Sequence, residues 1–204
     1  PLRGTPTMDT RLLGVTTVLL WGCVITPDPP PIASATIASN FQAYAIHRVG
    51  LIQPREDALH RSLDRAIRIE FLTASDYQII SVPPSALSGE TPLERLRGDY
   101  YAMDALRPEV LQELDALLVP EVIESKTSEP QRLVLRLDLV ACETGLTIWS
   151  ATVSIDGADA AVRHRIEDWQ AQLPGGTRDM DPYAVLESSE RLARFAVRQL
   201  ANLL

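Results

Sequence analysis

Cysteine is scarce in this chain of 204 residues, which contains only Cys23 and Cys142. Two cysteines can close at most one disulfide, so the fold cannot rest on a disulfide framework. The protein must therefore be stabilised by a hydrophobic core. A chain of this length is ample for one domain but short for two.

Positive charge is also scarce. Lysine occurs once, at Lys126, and 19 lysine and arginine residues stand against 27 aspartate and glutamate residues, which gives a net charge of -8 at pH 7. A surface of this sign repels phosphate backbones and anionic headgroups. We therefore expect no nucleic-acid partner.

Motifs of catalysis and metal binding are missing from the sequence. It has no nucleophile elbow, no glycine-rich phosphate loop and no dinucleotide fingerprint, and its histidines lack metal-ligand spacing. Two carboxylate pairs, Glu167 with Asp168 and Glu109 with Glu113, are explained by solvation of helix surfaces. Cys142 is interpreted as a buried, inert thiol. The sequence predicts no catalytic residue, no metal and no cofactor. The three histidines are His47, His60 and His164.

Long hydrophobic runs are absent from the N-terminal part of the chain except for Leu12–Trp21. As a helix, this stretch would cover roughly 16 Å, about half of the hydrocarbon core of a bilayer. It is too short to span a membrane and follows a short polar start, as in a secretion signal. We therefore predict a signal peptide over residues 1–22, with residues 1–7 as upstream sequence before Met8.

The residues after this run resemble a bacterial lipobox, in which leucine and two small residues precede a cysteine that is lipidated and becomes the new N-terminus. Leu20, Gly22 and Cys23 match this pattern, whereas Trp21 is larger than its usual occupant. The resemblance implies acyl chains on Cys23, which would hold the protein at a membrane. Val24 in place of an aspartate favours the outer membrane, with the protein facing the periplasm. The alternative is an unlipidated signal peptide with an incidental thiol.

Residues 23–44 are predicted to form the lipidated N-terminus and a linker. The stretch "TPDPPPIASATIASN" from Thr26 to Asn40 is rich in proline and then in small polar residues, without an amphipathic period. Fully extended, it would hold a domain up to roughly 45 Å from the bilayer. We place the globular domain at residues 45–204.

The globular region alternates between strand and helix signals, which predicts an α/β domain with a mixed sheet of about five strands packed by helices. A strand ending at Pro54, an amphipathic helix from Ala58 to Phe71 and a strand ending at Pro83 predict a parallel pair with a helical crossover. Further predictions are a helix from Pro108 to about Ala116, a strand at 117–125 in which Pro120 marks an edge or bulge, a helix around residues 162–173, and a C-terminal helix that begins at Asp181-Pro182.

The stretch "QRLVLRLDLVACETGLTIWSATVSID" predicts a C-terminal antiparallel hairpin. A two-residue loop would place its two apolar sets on opposite faces. A three-residue loop, Glu143–Gly145, places both sets on one face, with Gly145 in a left-handed conformation. This longer loop pairs Leu139 with Trp149. Near the turn the second face is apolar too, which predicts that this end is covered on both sides.

This hairpin and the segment "RVGLIQP" resemble the curli-secretion lipoprotein group and its relatives, which include the lipoproteins that activate peptidoglycan synthases. The matching positions are Val49–Pro54, with Thr144, Gly145, Trp149 and Ser150 in the hairpin. The likeness extends loosely over Ala45–Leu204 and implies a small α/β periplasmic domain. Secretion-channel activity is not carried over.

One segment combines residue types that are enriched at the centres of protein interfaces. It is "ERLRGDYYAMDALRP", within a charged and aromatic insertion around Pro92–Asp104. The alternative is that its tyrosines cover the edge of the sheet. The candidate partner-binding residues are Arg95, Arg97, Tyr100, Tyr101 and Met103.

Together these features favour a non-enzymatic, lipid-anchored envelope protein that binds or scaffolds a periplasmic or outer-membrane assembly. Its partners would be the membrane, through the anchor, and an envelope protein whose identity the sequence does not give. A subunit of a secretion or surface-assembly apparatus is the alternative, which would form a ring of many copies. Formation of a homo-oligomer is left open. An enzyme acting on envelope polymers is the least favoured interpretation.

Overall fold

The computed structural model describes residues 31–52, 57–87, 93, 95–96, 99–173 and 181–204. The predicted signal peptide, the lipobox and Cys23 lie outside these residues. The strands are β1 (Ala33–Ile37), β2 (Arg48–Ile52), β3 (Gln78–Val82), β4 (Ala116–Lys126), β5 (Arg132–Ala141) and β6 (Thr147–Asp156). The helices are α1 (Ala58–Ala74), α2 (Pro108–Leu111), α3 (Ala160–Gln172), α4 (Tyr183–Leu186) and α5 (Ser189–Ala201). None of the helices in this part of the chain is long and apolar enough to cross a bilayer.

The strands form one mixed sheet in the order β1-β6-β5-β4-β2-β3, which confirms the predicted α/β class. β2 and β3 are parallel and joined through α1, as the sequence predicts, and β4 also runs parallel to β2. β4, β5, β6 and β1 pair antiparallel. The sheet has six strands instead of about five because β1 adds to the free side of β6.

The predicted linker was therefore wrong over β1. Ala33–Ile37 pairs in continuous register with β6, and four of its five side chains are exposed. An edge strand of this kind is held by backbone hydrogen bonds rather than by a buried side-chain face. Its alternation of alanine and isoleucine with serine and threonine gives little hydrophobic contrast, because most of its side chains are small, and for this reason the strand was missed.

One face of the sheet carries the main core, covered by α1, α3, α4 and α5. Trp149 on β6 is fully buried and meets Phe71 of α1 edge to face, with ring centroids 6.0 Å apart. Its indole N–H donates to the carbonyl of Leu203 at 3.1 Å, which ties the C-terminus to the sheet. Burying an apolar side chain of this kind contributes roughly 1.5–3 kcal/mol.

The hairpin register is confirmed, with Leu139 opposite Trp149 and Gly145 at a φ of 70°. The register shifts by one residue between Leu139 and Val140, and the amide of Ala141 bonds to the carbonyl of Leu146. The connection is therefore one residue longer than predicted, with the extra residue absorbed by a bulge. Val140 is fully buried, so the prediction of a doubly covered end is confirmed.

Two helix boundaries were wrong. α2 stops at Leu111 instead of reaching Ala116, because the amide of Asp115 bonds to the carbonyl of Arg48 and the chain joins the sheet. The C-terminal helix is two helices, because Ser188 leaves helical geometry and its hydroxyl caps α5. Pro120 lies on β4 beyond the last pair with β2, and a bulge follows between Val122 and Glu124, in agreement with prediction.

Candidate functional site

The second face of the sheet is divided into two halves. Over β3, β2 and β4 it is covered by a second apolar cluster drawn largely from the segment between β3 and β4. Over β5, β6 and β1 it carries mainly hydroxyl and charged side chains. The candidate site lies where these halves meet, around Asp138 of β5.

Asp138 is a buried carboxylate, with 1% of its side chain exposed. Its Oδ2 accepts a hydrogen bond of 2.7 Å from the Tyr101 hydroxyl, and its Oδ1 accepts one of 2.5 Å from the Ser150 hydroxyl. Two guanidinium groups, of Arg95 and Arg136, each lie 3.5 Å from Oδ2. The Nε of Arg136 makes no hydrogen bond there, so that contact is an ion pair. A buried carboxylate of this kind is stable only with such partners.

Each of the two arginines also pairs with a second, more exposed carboxylate. Arg95 also pairs with Asp99, and Arg136 pairs with Glu121 across β4 and β5. Burial alone would lower the pKa of Arg95, but Asp138 and Asp99 raise it on balance. Arg95 therefore stays charged. Its ion pair with Asp138 joins the insertion to the sheet by charge as well as by packing.

Tyr101 is the hydroxyl donor of this network. Its pKa is raised well above the ordinary value, first by burial and then by its hydrogen bond to Asp138. A phenol in that state donates its proton and does not release it near neutral pH. The network is thus a fixed set of donors around one acceptor, which is suited to holding a segment in place rather than to moving protons.

The segment around Tyr101 is also fixed through its backbone. The Tyr101 amide donates to the carbonyl of Gly145 at 2.8 Å, and the Thr147 amide donates to the carbonyl of Asp99 at 2.8 Å. A Cβ on Gly145 would lie 2.8 Å from the backbone carbonyl oxygen of Tyr101 and 2.9 Å from Met103 Cγ. Glycine is therefore required there both for its positive φ and for this close approach.

The structure separates the predicted partner-binding residues into two groups. Tyr101 is buried, and Arg95 and Met103 are partly buried against the sheet and the hairpin turn. Tyr100, in contrast, leaves 46% of its surface exposed. The alternative that the tyrosines cover the sheet therefore holds for Tyr101 and not for Tyr100. Arg97 lies outside the described residues, and partner binding stays a prediction.

A cavity of about 520 Å³ opens beside this network. One wall is the part of β4 that extends beyond β2, and the other is the insertion. Leu96, at its mouth, is 51% exposed. The cavity therefore combines two guanidinium groups with exposed apolar surface. Its lining residues are Leu93, Arg95, Leu96, Tyr101, Val119, Pro120, Glu121 and Arg136.

Asp138 and Arg136 were not singled out as site residues from the sequence, where they alternate with the core-facing leucines of the hairpin. Both stand two residues apart on β5, in line with the buried Val140. The position of Val140 could have identified the site from sequence, because a carboxylate on the same face as a covered apolar residue is buried and needs hydrogen-bonding or charged partners.

The other titratable groups considered in the sequence are placed in ordinary structural roles. His60 lies 2.6 Å from the N-cap carboxylate of Asp57, and His164 lies near Glu167 and Asp168 on α3. Burial, and then Asp115, raise the pKa of Cys142 to about 12, so its thiol is protonated near neutral pH. Among the described residues, no group of histidine, cysteine and acidic side chains is arranged to hold a metal ion.

Comparison with known proteins gives distant structural matches. No family model and no curated protein matches the sequence. The fold is similar to a variant of the PelC dodecamer from Paraburkholderia phytofirmans, at 13% identity and a TM-score of 0.40 over 81% of this chain and 98% of that one. It is similar to the PelC dodecamer of the same organism at 12% identity and a TM-score of 0.41, over 80% and 96% of the two chains. Likenesses at these values do not show a shared function.

Proposed function

We propose that this protein is a lipid-anchored, non-enzymatic subunit of an assembly in the bacterial cell envelope, where it holds a partner protein. The single observation that carries the proposal is the exposed pair Leu96 and Tyr100, presented on a segment that the Asp138 network fixes to the sheet. A rigidly held aromatic and apolar surface beside arginines is what protein interfaces use at their centres.

The internal arrangement of the segment supports this role. The Leu96 amide donates to the carbonyl of Tyr100 at 2.6 Å, so the backbones of the two exposed residues are held side by side. Because the neighbouring Tyr101 and Arg95 are bound to Asp138, Leu96 and Tyr100 lose little conformational freedom when a partner binds. Preorganisation of this kind lowers the cost of association.

The partner-binding role is tested with Leu96→Ala and Tyr100→Ala, alone and combined. We expect the double variant to bind its envelope partner at least about tenfold more weakly, because hot-spot side chains contribute roughly 2 kcal/mol or more. The measurement is quantitative mass spectrometry of proteins that co-purify with the detergent-extracted full chain. Tyr183→Ala is the matched control, since Tyr183 is 42% exposed on α4.

Two results would contradict this role. One is an unchanged set of co-purifying proteins in the double variant. The other is an equal loss in the Tyr183→Ala control. Thermal unfolding of each variant is measured alongside, and we expect it to be nearly unchanged because both side chains are about half exposed.

The proposed anchor is Cys23, and the position of β1 limits how far from the bilayer this anchor lets the sheet lie. Only residues 24–32 separate Cys23 from β1, and nine extended residues span about 30 Å. The reach of roughly 45 Å expected from the longer linker is therefore reduced. The β1 side of the sheet could then lie at most about 30 Å from the lipidated residue.

The anchor is tested with Cys23→Ala. We expect the protein to move from the membrane fraction to the soluble fraction with its unfolding temperature unchanged, because acyl chains supply the attachment and the main core is built from residues further along the chain. Fractionation and intact-mass spectrometry are the measurements. An unmodified thiol with residues 1–22 still attached in the natural product would contradict the proposal.

A subunit of a secretion or surface-assembly apparatus is the second candidate. The observation that favours it is the open sheet, whose outer strands β1 and β3 both have a side without a partner strand in the described part of the chain. The molar mass of the detergent-extracted protein distinguishes the two candidates, because a ring of many copies is expected only for the second.

A further inference from the structure

The outer edge of β1 carries backbone hydrogen-bonding groups that no described residue uses. The Ser154 amide bonds to the carbonyl of Ile32, and the Ala38 amide bonds to the carbonyl of Ile148. These two bonds show which backbone groups of β1 point towards β6, because hydrogen-bonded and non-hydrogen-bonded pairs alternate along an antiparallel ladder. The N–H and C=O groups of Ala33, Ala35 and Ile37 therefore point away from β6.

The other open edges of the described sheet are blunted against strand addition. β3 is followed directly by Pro83 and Pro84, and the Arg68 guanidinium reaches the Ser81 hydroxyl at 2.6 Å. The part of β4 beyond β2 contains Pro120, a bulge and three charged side chains. Proline, bulges and charge are the devices by which edge strands avoid pairing.

Within the strand β1 has none of these devices, and the nearest proline, Pro31, stands two residues before it. Its sequence, Ala-Ser-Ala-Thr-Ile, has no charge and no proline, and its register against β6 is regular over all five residues. Ile37 on this edge leaves 51% of its surface exposed. An uncharged, regular edge with an exposed apolar residue is suited to accept another strand.

We propose that β1 pairs antiparallel with β1 of a second copy of this chain, about a two-fold axis at Ala35. The outward-pointing residues are three in number and centred on Ala35, so this axis sets Ala35 opposite its own copy and Ala33 opposite Ile37. Each opposed pair exchanges two backbone hydrogen bonds. No outward-pointing group of the strand is left unpaired.

The side chains fit the same axis. Ile37 lies opposite Trp149 in the β6 register and so is on the face packed by helices. There it would cover the small Ala33 of the partner, while Ser34 meets Thr36 on the other face. Because the strand is uncharged, the symmetry brings no like charges together in spite of the net charge of -8. The pairing joins two six-stranded sheets into one continuous sheet.

The test is disulfide cross-linking of the full chain in a Cys142→Ser background. At the proposed axis the two Ala35 Cα atoms lie about 5.5 Å apart, within the range of a disulfide, whereas the two Ala33 Cα atoms lie about 14 Å apart. With a mild oxidant, we expect Ala35→Cys to form a covalent dimer in membranes and after purification. Ala33→Cys and the background chain should remain monomeric on a non-reducing gel.

Equal cross-linking of Ala33→Cys and Ala35→Cys, or none in either, would overturn the proposal. A ladder of multimers from the double variant Ala35→Cys with Ser81→Cys, without a dimer from Ala35→Cys alone, would also overturn it. That result would show head-to-tail pairing of β1 with β3. A second measurement avoids thiols. By sedimentation we expect Ile37→Lys to weaken self-association about tenfold or more, and Ile123→Lys, at a residue also 51% exposed, to leave it within about twofold. Equal effects of the two lysine variants would also overturn it.

Discussion

Replacement of Asp138 by alanine is expected to lower the free energy of unfolding by about 3–5 kcal/mol, because it removes the buried carboxylate that two guanidinium groups and two hydroxyl groups share. Arg95 and Arg136 each expose about a quarter of their side chains and would face each other without the carboxylate. The Tyr101 and Ser150 hydroxyls would lose their common acceptor. The same change should release Leu96 and Tyr100 from their fixed position.

Chemical denaturation followed by tryptophan fluorescence measures this effect. Glu124→Ala on the neighbouring strand is the control. Glu124 is about half exposed, and its ion pair with Arg132 is weak because the two groups are 4.0 Å apart. Tyr101→Phe removes a single donor from Asp138 and should lose about 1–3 kcal/mol. A loss below about 1 kcal/mol for Asp138→Ala would show that the network does not hold the insertion to the sheet.

The second large effect is expected between α1 and α5. Glu70 has 1% of its side chain exposed, and its Oε1 accepts a hydrogen bond of 2.8 Å from Arg194. The Nε of Arg198 lies 2.9 Å from Oε2 without hydrogen-bond geometry, so this contact is an ion pair. Replacing both arginines by methionine keeps their apolar stems but leaves the carboxylate buried and unpaired. We expect a loss of about 3–5 kcal/mol.

The reverse replacement should be much milder. In Glu70→Leu the two arginines, which are 40% and 31% exposed, can turn their guanidinium groups to water. A leucine fills much of the space between the helices, and replacing a buried charge by an apolar residue of similar size is often neutral. Denaturation of the three chains provides the comparison. Equal losses in Glu70→Leu and the double arginine variant would contradict this account.

Residues of the main core follow the sequence closely. The apolar positions of α1 and α5 recur at helical spacing, and Leu63, Ile67 and Leu200 on these apolar faces are all buried. The hairpin register also followed from sequence, because only one pairing puts both apolar sets on one face. Periodicity succeeds here because it records which side of an element is removed from water.

The candidate site was predicted only in part. Composition alone selected the insertion and named Tyr100 and Tyr101 together, but it could not tell which of the two is exposed. That choice depends on the contact between Tyr101 and Asp138, which are 37 residues apart. The lipobox prediction rests on residues 20–23 and stays a prediction.

By itself, the sequence determined the α/β class, the parallel β2-α1-β3 unit and the hairpin, because each is encoded by a local alternation of apolar and polar residues. The tertiary structure alone decided that β1 joins the sheet and that Asp138 and Glu70 are buried among arginines. The pairing of β1 depends on backbone groups that are the same in every sequence. The buried carboxylates depend on partners such as Arg194, 124 residues from Glu70, which no local period can reveal.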